Sequence, residues 1–173
     1  MATVLFVCTG NLCRSPMAAA LLRQRLAQDP ARQGWRVLSA GIWTEDGRPA
    51  STAALAALAE RGLDLSEHRS CQITAEQVCQ ADLILGMTPH HVEALRLAFP
   101  EAAGRIFLLA EMAGESHGVA DPYGLSVAEY RATAAELARL IAAGYPRIVA
   151  LASGLPANPQ DCSPDGNCAI INP

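Results

Sequence analysis

An apolar run leads directly into a cysteine-containing loop at residues 4–16, which read VLFVCTGNLCRSP. The run at 4–7 has the length and composition of a strand that is buried on both faces. Ser15 and Pro16 are typical of a helix N-cap followed by a first-turn proline. The stretch therefore predicts a strand, a tight loop and a helix in succession, with Cys8 and Arg14 in the loop.

This loop has the composition of an anion site that carries a nucleophile. Backbone N–H groups and a helix N-terminus stabilise both a thiolate and a bound phosphate. Arg14 lies six residues after Cys8 and supplies a planar guanidinium that matches phosphate oxygens. Gly10 and Asn11 tolerate the backbone conformations of a tight loop, and Ser15 can hydrogen-bond the sulfur. We interpret the chain as a cysteine-dependent phosphatase that needs no metal and no cofactor.

Displacing an alcohol or a phenol from phosphorus also requires a proton donor at the leaving oxygen. The candidate is Asp121, in the sequence GVADPYG at residues 118–124. The glycines and the proline indicate a loop whose carboxylate can reach the site, and the same group can later accept a proton from water. On the residues alone, an Asp-Pro pair is more often a solvated turn, so that alternative stays open.

Composition excludes several other kinds of chemistry. The 173 residues suffice for one domain, and all 13 basic residues are arginines, which excludes a lysine nucleophile or a Walker-type loop. A net charge of -4 disfavours a nucleic-acid partner. The first residues resemble neither a signal peptide nor a membrane span. We therefore expect no membrane partner, a cytoplasmic location and free thiols for most of the six cysteines.

Short apolar runs alternate with helical patterns along the chain. Strands are predicted at 4–7, 37–39, 83–86 and 106–109. Capping residues predict helices that begin near Ser15, Ser51, Thr74, Thr88 and Ser126. The alternation predicts an α/β fold, a doubly wound, four-stranded parallel sheet with helices on both faces. Ligands bind such sheets at the carboxyl ends of the strands, where the Cys8 loop lies.

The end of the chain differs in character from the rest. The last helical pattern is expected to stop at Gly144, and glycine, proline, asparagine and aspartate accumulate further on. We predict a phosphatase domain at residues 1–146 and a C-terminal tail at 147–173, mobile beyond Ser153. Within the tail, Cys162 and Cys168 could pair with each other, and we assign them no role.

The remaining cysteines and histidines carry weaker signals. Cys13 lies in the same tight loop as Cys8, so a reversible crosslink between the two thiols is a hypothesis that rests on spacing alone. Adjacent histidines point to different sides of a helix. We therefore interpret His90, His91 and His117 as surface positions and not as metal ligands.

The Cys8 loop resembles the phosphate-binding loop of the low-molecular-weight protein tyrosine phosphatases. Further blocks agree in order with that family, at residues 39–41, 67–70, 82–87 and 121–123. The resemblance covers residues 3 to 143 and implies the phosphotyrosine phosphatase I-like fold. It also implies that Cys8 is the nucleophile, Arg14 the phosphate clamp and Asp121 the general acid.

The resemblance assigns roles to further residues. A hydrogen-bond network that keeps the loop rigid would consist of Asn11, Ser15, Ser39 and His68. The phosphate, or a similar oxyanion, and the substrate side chain would contact Thr9, Gly10, Asn11, Leu12, Cys13, Ser15, Trp43 and Tyr123. The implied partner is a phosphorylated protein or peptide, with no metal at the site.

Substrate choice depends on fewer positions, because one branch of the family hydrolyses phosphoarginine in proteins. That branch has a threonine where this chain has Leu12, and an isobutyl group suits an aromatic ring better than a guanidinium. Trp43 and Tyr123 could flank the same ring. Gly124 and residues 116–118 look more like the arginine branch. We predict phosphotyrosine hydrolysis, with protein arginine phosphatase activity as the alternative.

Two further functions fit the same fold less well. Arsenate reductases relay oxidation through cysteines that follow the third strand, but this chain reads MTPHH at residues 87–91. A non-catalytic phosphate-binding module would have little need for both a nucleophile and an acid, and Cys8, Arg14 and Asp121 are all present.

Overall fold

The computed structural model describes residues 1–154 of the 173. Its four strands form one parallel sheet in the order β2-β1-β3-β4. The strands are β1 (Thr3–Cys8), β2 (Arg36–Gly41), β3 (Leu83–Gly86) and β4 (Ile106–Leu108). The predicted parallel sheet is confirmed, and only its last strand is shorter than expected, because Leu109 begins a helix instead of ending β4.

Six α-helices accompany the sheet in the described part of the chain. They are α1 (Arg14–Ala27), α2 (Thr52–Ala59), α3 (Ala75–Gln80), α4 (Pro89–Ala98), α5 (Leu109–Met112) and α6 (Val127–Gly154). Within residues 1–154, no helix combines the length and the apolar character needed to cross a bilayer.

The direction of the chain through the sheet places the Cys8 loop. From β1 the chain moves outward to β2, whereas from β3 it moves outward in the other direction to β4. Right-handed crossovers then put α1 and α4 on opposite faces, with α6 packed against α1. Every residue of β1 and β3 is buried, as expected for central strands. The strands that follow β1 and β3 are added on opposite sides of this central pair, so the switch point of the sheet lies between β1 and β3. The loop after β1 opens at that switch point.

Most of the predicted helix caps are confirmed. The Ser51 side chain accepts a hydrogen bond from the Ala54 N–H at the start of α2. Thr74 and Gln77 form a reciprocal capping box at the start of α3. Thr88 caps α4 and Pro89 occupies its first turn. These short polar side chains satisfy N–H groups that a helix cannot pair internally.

The prediction that Ser15 caps α1 is wrong. The helix already begins at Arg14 with Cys13 at the N-cap position, and Cys13 makes no side-chain capping bond. Ser15 is fully buried inside the first turn, and its hydroxyl lies against the loop. The Ser15 hydroxyl therefore contacts the Cys8 thiol and does not cap the helix.

The prediction that the last helix stops at Gly144 is also wrong. Helix α6 continues through Pro146 to Gly154, so residues 147–154 are helical. Gly144 is a packing position, because a Cβ atom there would lie 2.5 Å from the Cβ of Met112 in α5. The remainder of the proposed tail, with Cys162 and Cys168, lies outside the described residues.

Candidate active site

A cavity of about 520 Å³ opens at the carboxyl end of β1. The loop after β1 supplies its floor, the loop after β2 supplies one wall, and the loop that carries Asp121 supplies the other. Residues from all three segments line it: Cys8, Thr9, Gly10, Leu12, Cys13, Arg14, Trp43, Thr44, Glu45, Arg48, Asp121 and Tyr123. The structure thus brings Asp121, the candidate acid, next to Cys8 and Arg14, the candidate nucleophile and clamp, which lie more than 100 residues before it.

The thiol of Cys8 lies in a polar pocket under the loop. Its Sγ is 3.0 Å from the Oγ of Ser15, and only 2% of Cys8 is exposed. Ser15 Oγ also accepts a hydrogen bond from the Asn11 side-chain amide, at 2.9 Å. A thiolate at Cys8 can only accept, so the Ser15 proton, otherwise directed at the Ala40 carbonyl 3.2 Å away, would then turn to the sulfur. The pocket can therefore stabilise a negatively charged sulfur.

Asn11 organises the loop from its centre. It is the one non-glycine residue with positive φ among those described, at 52°, a conformation that asparagine tolerates better than most residues. Its side-chain NH2 donates to Ser15 and to Ser39 Oγ (3.0 Å), and its Oδ1 accepts from the Cys71 backbone N–H (3.0 Å). The carbonyl oxygen of Asn11 lies 2.7 Å from Nε2 of His68.

These contacts connect the residues that the resemblance grouped as a network. Sequence reasoning missed Cys71, whose contribution is a backbone N–H that no motif records. Burial lowers the pKa of His68, while the bond to the Asn11 carbonyl acts in the opposite direction.

Arg14 and Asp121 form an ion pair inside the cavity. Nη2 of Arg14 lies 2.5 Å from Oδ2 of Asp121, and Nη1 donates to the Val119 carbonyl at 3.2 Å. Arg14 is buried, whereas 48% of the Asp121 side chain is exposed. The Nε of Arg14 is buried and has no hydrogen-bond partner among the described residues. Arg14 lines the cavity, so its guanidinium is placed to bind an oxyanion there.

The cavity also has an apolar side. Leu12 is buried within the loop, while the aromatic side chains of Trp43 and Tyr123 are 66% and 60% exposed at the rim. Large exposed aromatic residues beside a cavity are typical of binding sites. Thr44, Glu45 and Arg48 line the same wall. They lie within five residues of Trp43, and no motif in the sequence points to them.

Cys13 lies behind the loop. Its Sγ is 3.2 Å from the Tyr130 hydroxyl and 3.4 Å from Ser51 Oγ. Burial raises the pKa of the Cys13 thiol, which disfavours its thiolate. Cys8 and Cys13 are both free thiols in the structure, and their crosslinking stays a prediction.

The assignment of His91 to the surface is wrong. His91 lies in the first turn of α4 with 4% of its surface exposed, whereas His90 and His117 do lie at exposed positions. Its Nε2 is 2.9 Å from Thr9 Oγ1, and its Nδ1 is 2.9 Å from Thr88 Oγ1. Burial, with the nearby positive charge of Arg14, lowers the pKa of His91 from 6.5 to about 4.

The low pKa of His91 predicts a pH-dependent stability. Between pH 6.5 and pH 4, the unfolded chain binds a proton at His91 that the folded chain does not, so the free energy of unfolding falls as the pH falls. Neutral His91 makes its full contribution to the free energy of unfolding above pH 6.5. Roughly 3 kcal/mol of that free energy is lost between pH 6.5 and pH 4. His91→Gln should flatten this part of the curve of unfolding free energy against pH, measured by urea denaturation. An equal slope in the variant and the wild type would contradict the assignment.

Comparison with known proteins agrees with this geometry. The family model described as low molecular weight phosphotyrosine protein phosphatase matches residues 3–145. A relative described as the probable low molecular weight protein-tyrosine-phosphatase EpsP of Ralstonia nicotianae is 42% identical over 149 residues. That alignment covers 86% of this chain and 97% of the relative.

Two solved structures are similar over most of their length. The YwlE arginine phosphatase from Geobacillus stearothermophilus is 40% identical, with a TM-score of 0.78 and coverage of 87% of this chain and 96% of that one. The tyrosine phosphatase Wzb from Escherichia coli K30, in complex with sulphate, is 29% identical, with a TM-score of 0.75 and coverage of 84% and 97%. The chain therefore belongs to the low molecular weight phosphotyrosine protein phosphatase family, whose members are cysteine-dependent phosphatases.

Proposed function

We propose that this protein hydrolyses phosphotyrosine in proteins or peptides, with Cys8 as the nucleophile, Arg14 as the phosphate clamp and Asp121 as the general acid. The observation that carries the proposal is the convergence of these three side chains in one cavity whose rim is aromatic. A phosphate on the floor of the cavity would leave a tyrosine ring between Trp43 and Tyr123.

The first step transfers the phosphoryl group to sulfur. The Cys8 thiolate forms an S–P bond while the P–O bond to the tyrosine oxygen breaks. Asp121 gives its proton to that oxygen, because a phenolate leaves poorly as an anion. Arg14 and the loop N–H groups stabilise the equatorial oxygens of phosphorus, where charge is concentrated in the transition state.

The second step returns the enzyme to its starting state. Water attacks phosphorus and gives a proton to the Asp121 carboxylate, and the S–P bond breaks to release inorganic phosphate and the Cys8 thiolate. The Ser15 hydroxyl donates to the departing sulfur. The bonds that Asn11 makes to Ser39 and His68 keep the loop in one conformation through both steps.

Arg14 and Asp121 are paired before substrate binds. A phosphate dianion competes with the Asp121 carboxylate for the guanidinium. Substrate binding thereby releases the Asp121 side chain from Arg14, so that it can act at the leaving oxygen.

Leu12 supports tyrosine over arginine as the phosphorylated side chain. It lines the cavity with an apolar surface at the position where the arginine branch has threonine. Hydrolysis of protein phosphoarginine is the second candidate, and one observation favours it. The carboxylates of Glu45 and Asp121 line the cavity and could pair with a guanidinium.

Leu12→Thr tests the choice between these substrates. The threonine removes apolar surface from the wall and adds a hydroxyl, so kcat/KM for a phosphotyrosine peptide should fall by about tenfold. The ratio of phosphoarginine to phosphotyrosine turnover should rise. The measurement is release of inorganic phosphate from matched peptides by the purified full chain. An unchanged ratio would remove Leu12 from the account of specificity.

A nucleophilic thiol requires a reducing environment, which supports a cytoplasmic location. The proposed partners are phosphorylated proteins, without nucleic acid or membrane, and neither step uses a metal or a cofactor.

A further inference from the structure

His91 is a buried polar side chain that the two proposed steps leave unused. It projects from the first turn of α4 and contacts Thr9, the residue that follows the nucleophile, through Nε2. Its second ring nitrogen contacts Thr88, the N-cap of the same helix. Burying an imidazole is costly unless its polar atoms are paired, and both are paired here. The contact to Thr9 therefore holds the His91 ring and the Thr9 hydroxyl in defined orientations.

The contact also fixes which side of Thr9 faces the cavity. Thr9 lines the cavity and is exposed, whereas His91 is 4% exposed. The Thr9 hydroxyl is directed at a buried ring, which leaves the methyl group as the part of the side chain that can face the cavity. The backbone of Thr9 is fixed independently, since its carbonyl accepts a hydrogen bond from the Trp43 N–H at 3.0 Å.

We propose that His91 is a positioning residue for substrate selection: it binds the Thr9 hydroxyl, so that the cavity presents a methyl group to the substrate's aromatic ring. This inference rests on the proposed phosphotyrosine hydrolysis. Thr9 would complete an apolar surface with Leu12, opposite the aromatic rim. Without His91, the hydroxyl of Thr9 is free to rotate towards the cavity, where an aromatic ring cannot satisfy it.

Thr9→Ser tests the methyl group without disturbing the histidine. Serine keeps the hydroxyl that bonds to His91 and removes only the methyl, so KM for a phosphotyrosine peptide should rise about fourfold at nearly constant kcat. This substitution lies outside the packed core, so the variant should fold. A KM equal to that of the wild type would show that the methyl group does not face the substrate, and would overturn the proposal.

A second set of variants tests the role of His91 itself. His91→Leu should raise KM about fivefold, and His91→Gln, whose amide can still reach Thr9, should stay within about twofold of the wild type. Adding Thr9→Val to His91→Leu removes the unpaired hydroxyl and should restore a low KM. His90→Leu, on the exposed neighbour in the same turn, is the matched control and should not change KM.

The outcomes separate this inference from the proposed function. If the wild type does not hydrolyse the phosphotyrosine peptide, the proposed function fails. If the wild type is active and Thr9→Val does not rescue His91→Leu, only the positioning role fails. A purely structural role for His91 would lower the melting temperature and kcat together, and Thr9→Val would not correct either.

Discussion

Cys8→Ser is expected to abolish turnover, with a loss of at least about 10⁴-fold in kcat for a phosphotyrosine peptide. A serine hydroxyl is almost fully protonated at neutral pH and is a far weaker nucleophile than a thiolate. No neighbouring group compensates, because the side chain 3.0 Å away is the Ser15 hydroxyl, which is not a strong base. The measurement is single-turnover and steady-state release of phosphate.

Binding provides the control for this variant. Arg14 and the loop N–H groups are unchanged in Cys8→Ser, so inorganic phosphate should still raise its melting temperature as it does for the wild type. Loss of both binding and turnover would indicate a damaged loop instead of a missing nucleophile. Turnover within about tenfold of the wild type would exclude Cys8 as the nucleophile.

Asp121→Asn is expected to slow the reaction by an amount that depends on the leaving group. The amide cannot donate a proton in the way a carboxylic acid does, so a tyrosine phosphate should lose about 10²- to 10⁴-fold in kcat. A nitrophenyl phosphate has a much better leaving group and should lose far less. The measurement is kcat across a series of aryl phosphates, plotted against the pKa of each phenol.

The shape of that plot distinguishes two roles for Asp121. A steeper dependence on leaving-group pKa in Asp121→Asn identifies the carboxyl as the proton donor. Asp121 also pairs with Arg14, so a role limited to orienting the guanidinium would slow every substrate by the same factor. Parallel lines for the variant and the wild type would therefore contradict the general-acid assignment.

The strands, helix caps and loop that surround the site could be predicted from the sequence, because each depends on residues close together in the chain. The buried runs at 4–8 in β1 and 83–86 in β3 are apolar without interruption. The Thr74 and Thr88 caps depend on neighbours three residues away. The loop from Cys8 to Arg14 belongs to one short segment. Its position at the switch point follows from the parallel order of the strands.

The errors have long-range causes. Ser15 has the sequence context of a cap, but contacts to Cys8, Asn11 and the Ala40 carbonyl use its hydroxyl instead. Gly144 resembles a helix stop, but close packing against Met112 explains the absence of a side chain. Ala40 lies 25 residues after Ser15, and Met112 lies 32 residues before Gly144, so only the fold brings these partners together.

His91 shows the same limit for function. Its neighbour His90 is exposed, and helical spacing alone could not say which of the two faces the sheet. The contact between His91 and Thr9 joins residues 82 positions apart. For Asp121, the residues alone favoured a solvated turn. Its pairing with Arg14, 107 residues earlier, is visible only in the folded chain.

The most direct measurement is hydrolysis of two peptides that differ only in carrying phosphotyrosine or phosphoarginine, by the purified full chain with Cys8→Ser as the blank. The account predicts that kcat/KM for the phosphotyrosine peptide is higher, by at least about tenfold, because Leu12, Trp43 and Tyr123 form a site for an aromatic ring. A higher kcat/KM for the phosphoarginine peptide would contradict that account and assign the cavity to a guanidinium.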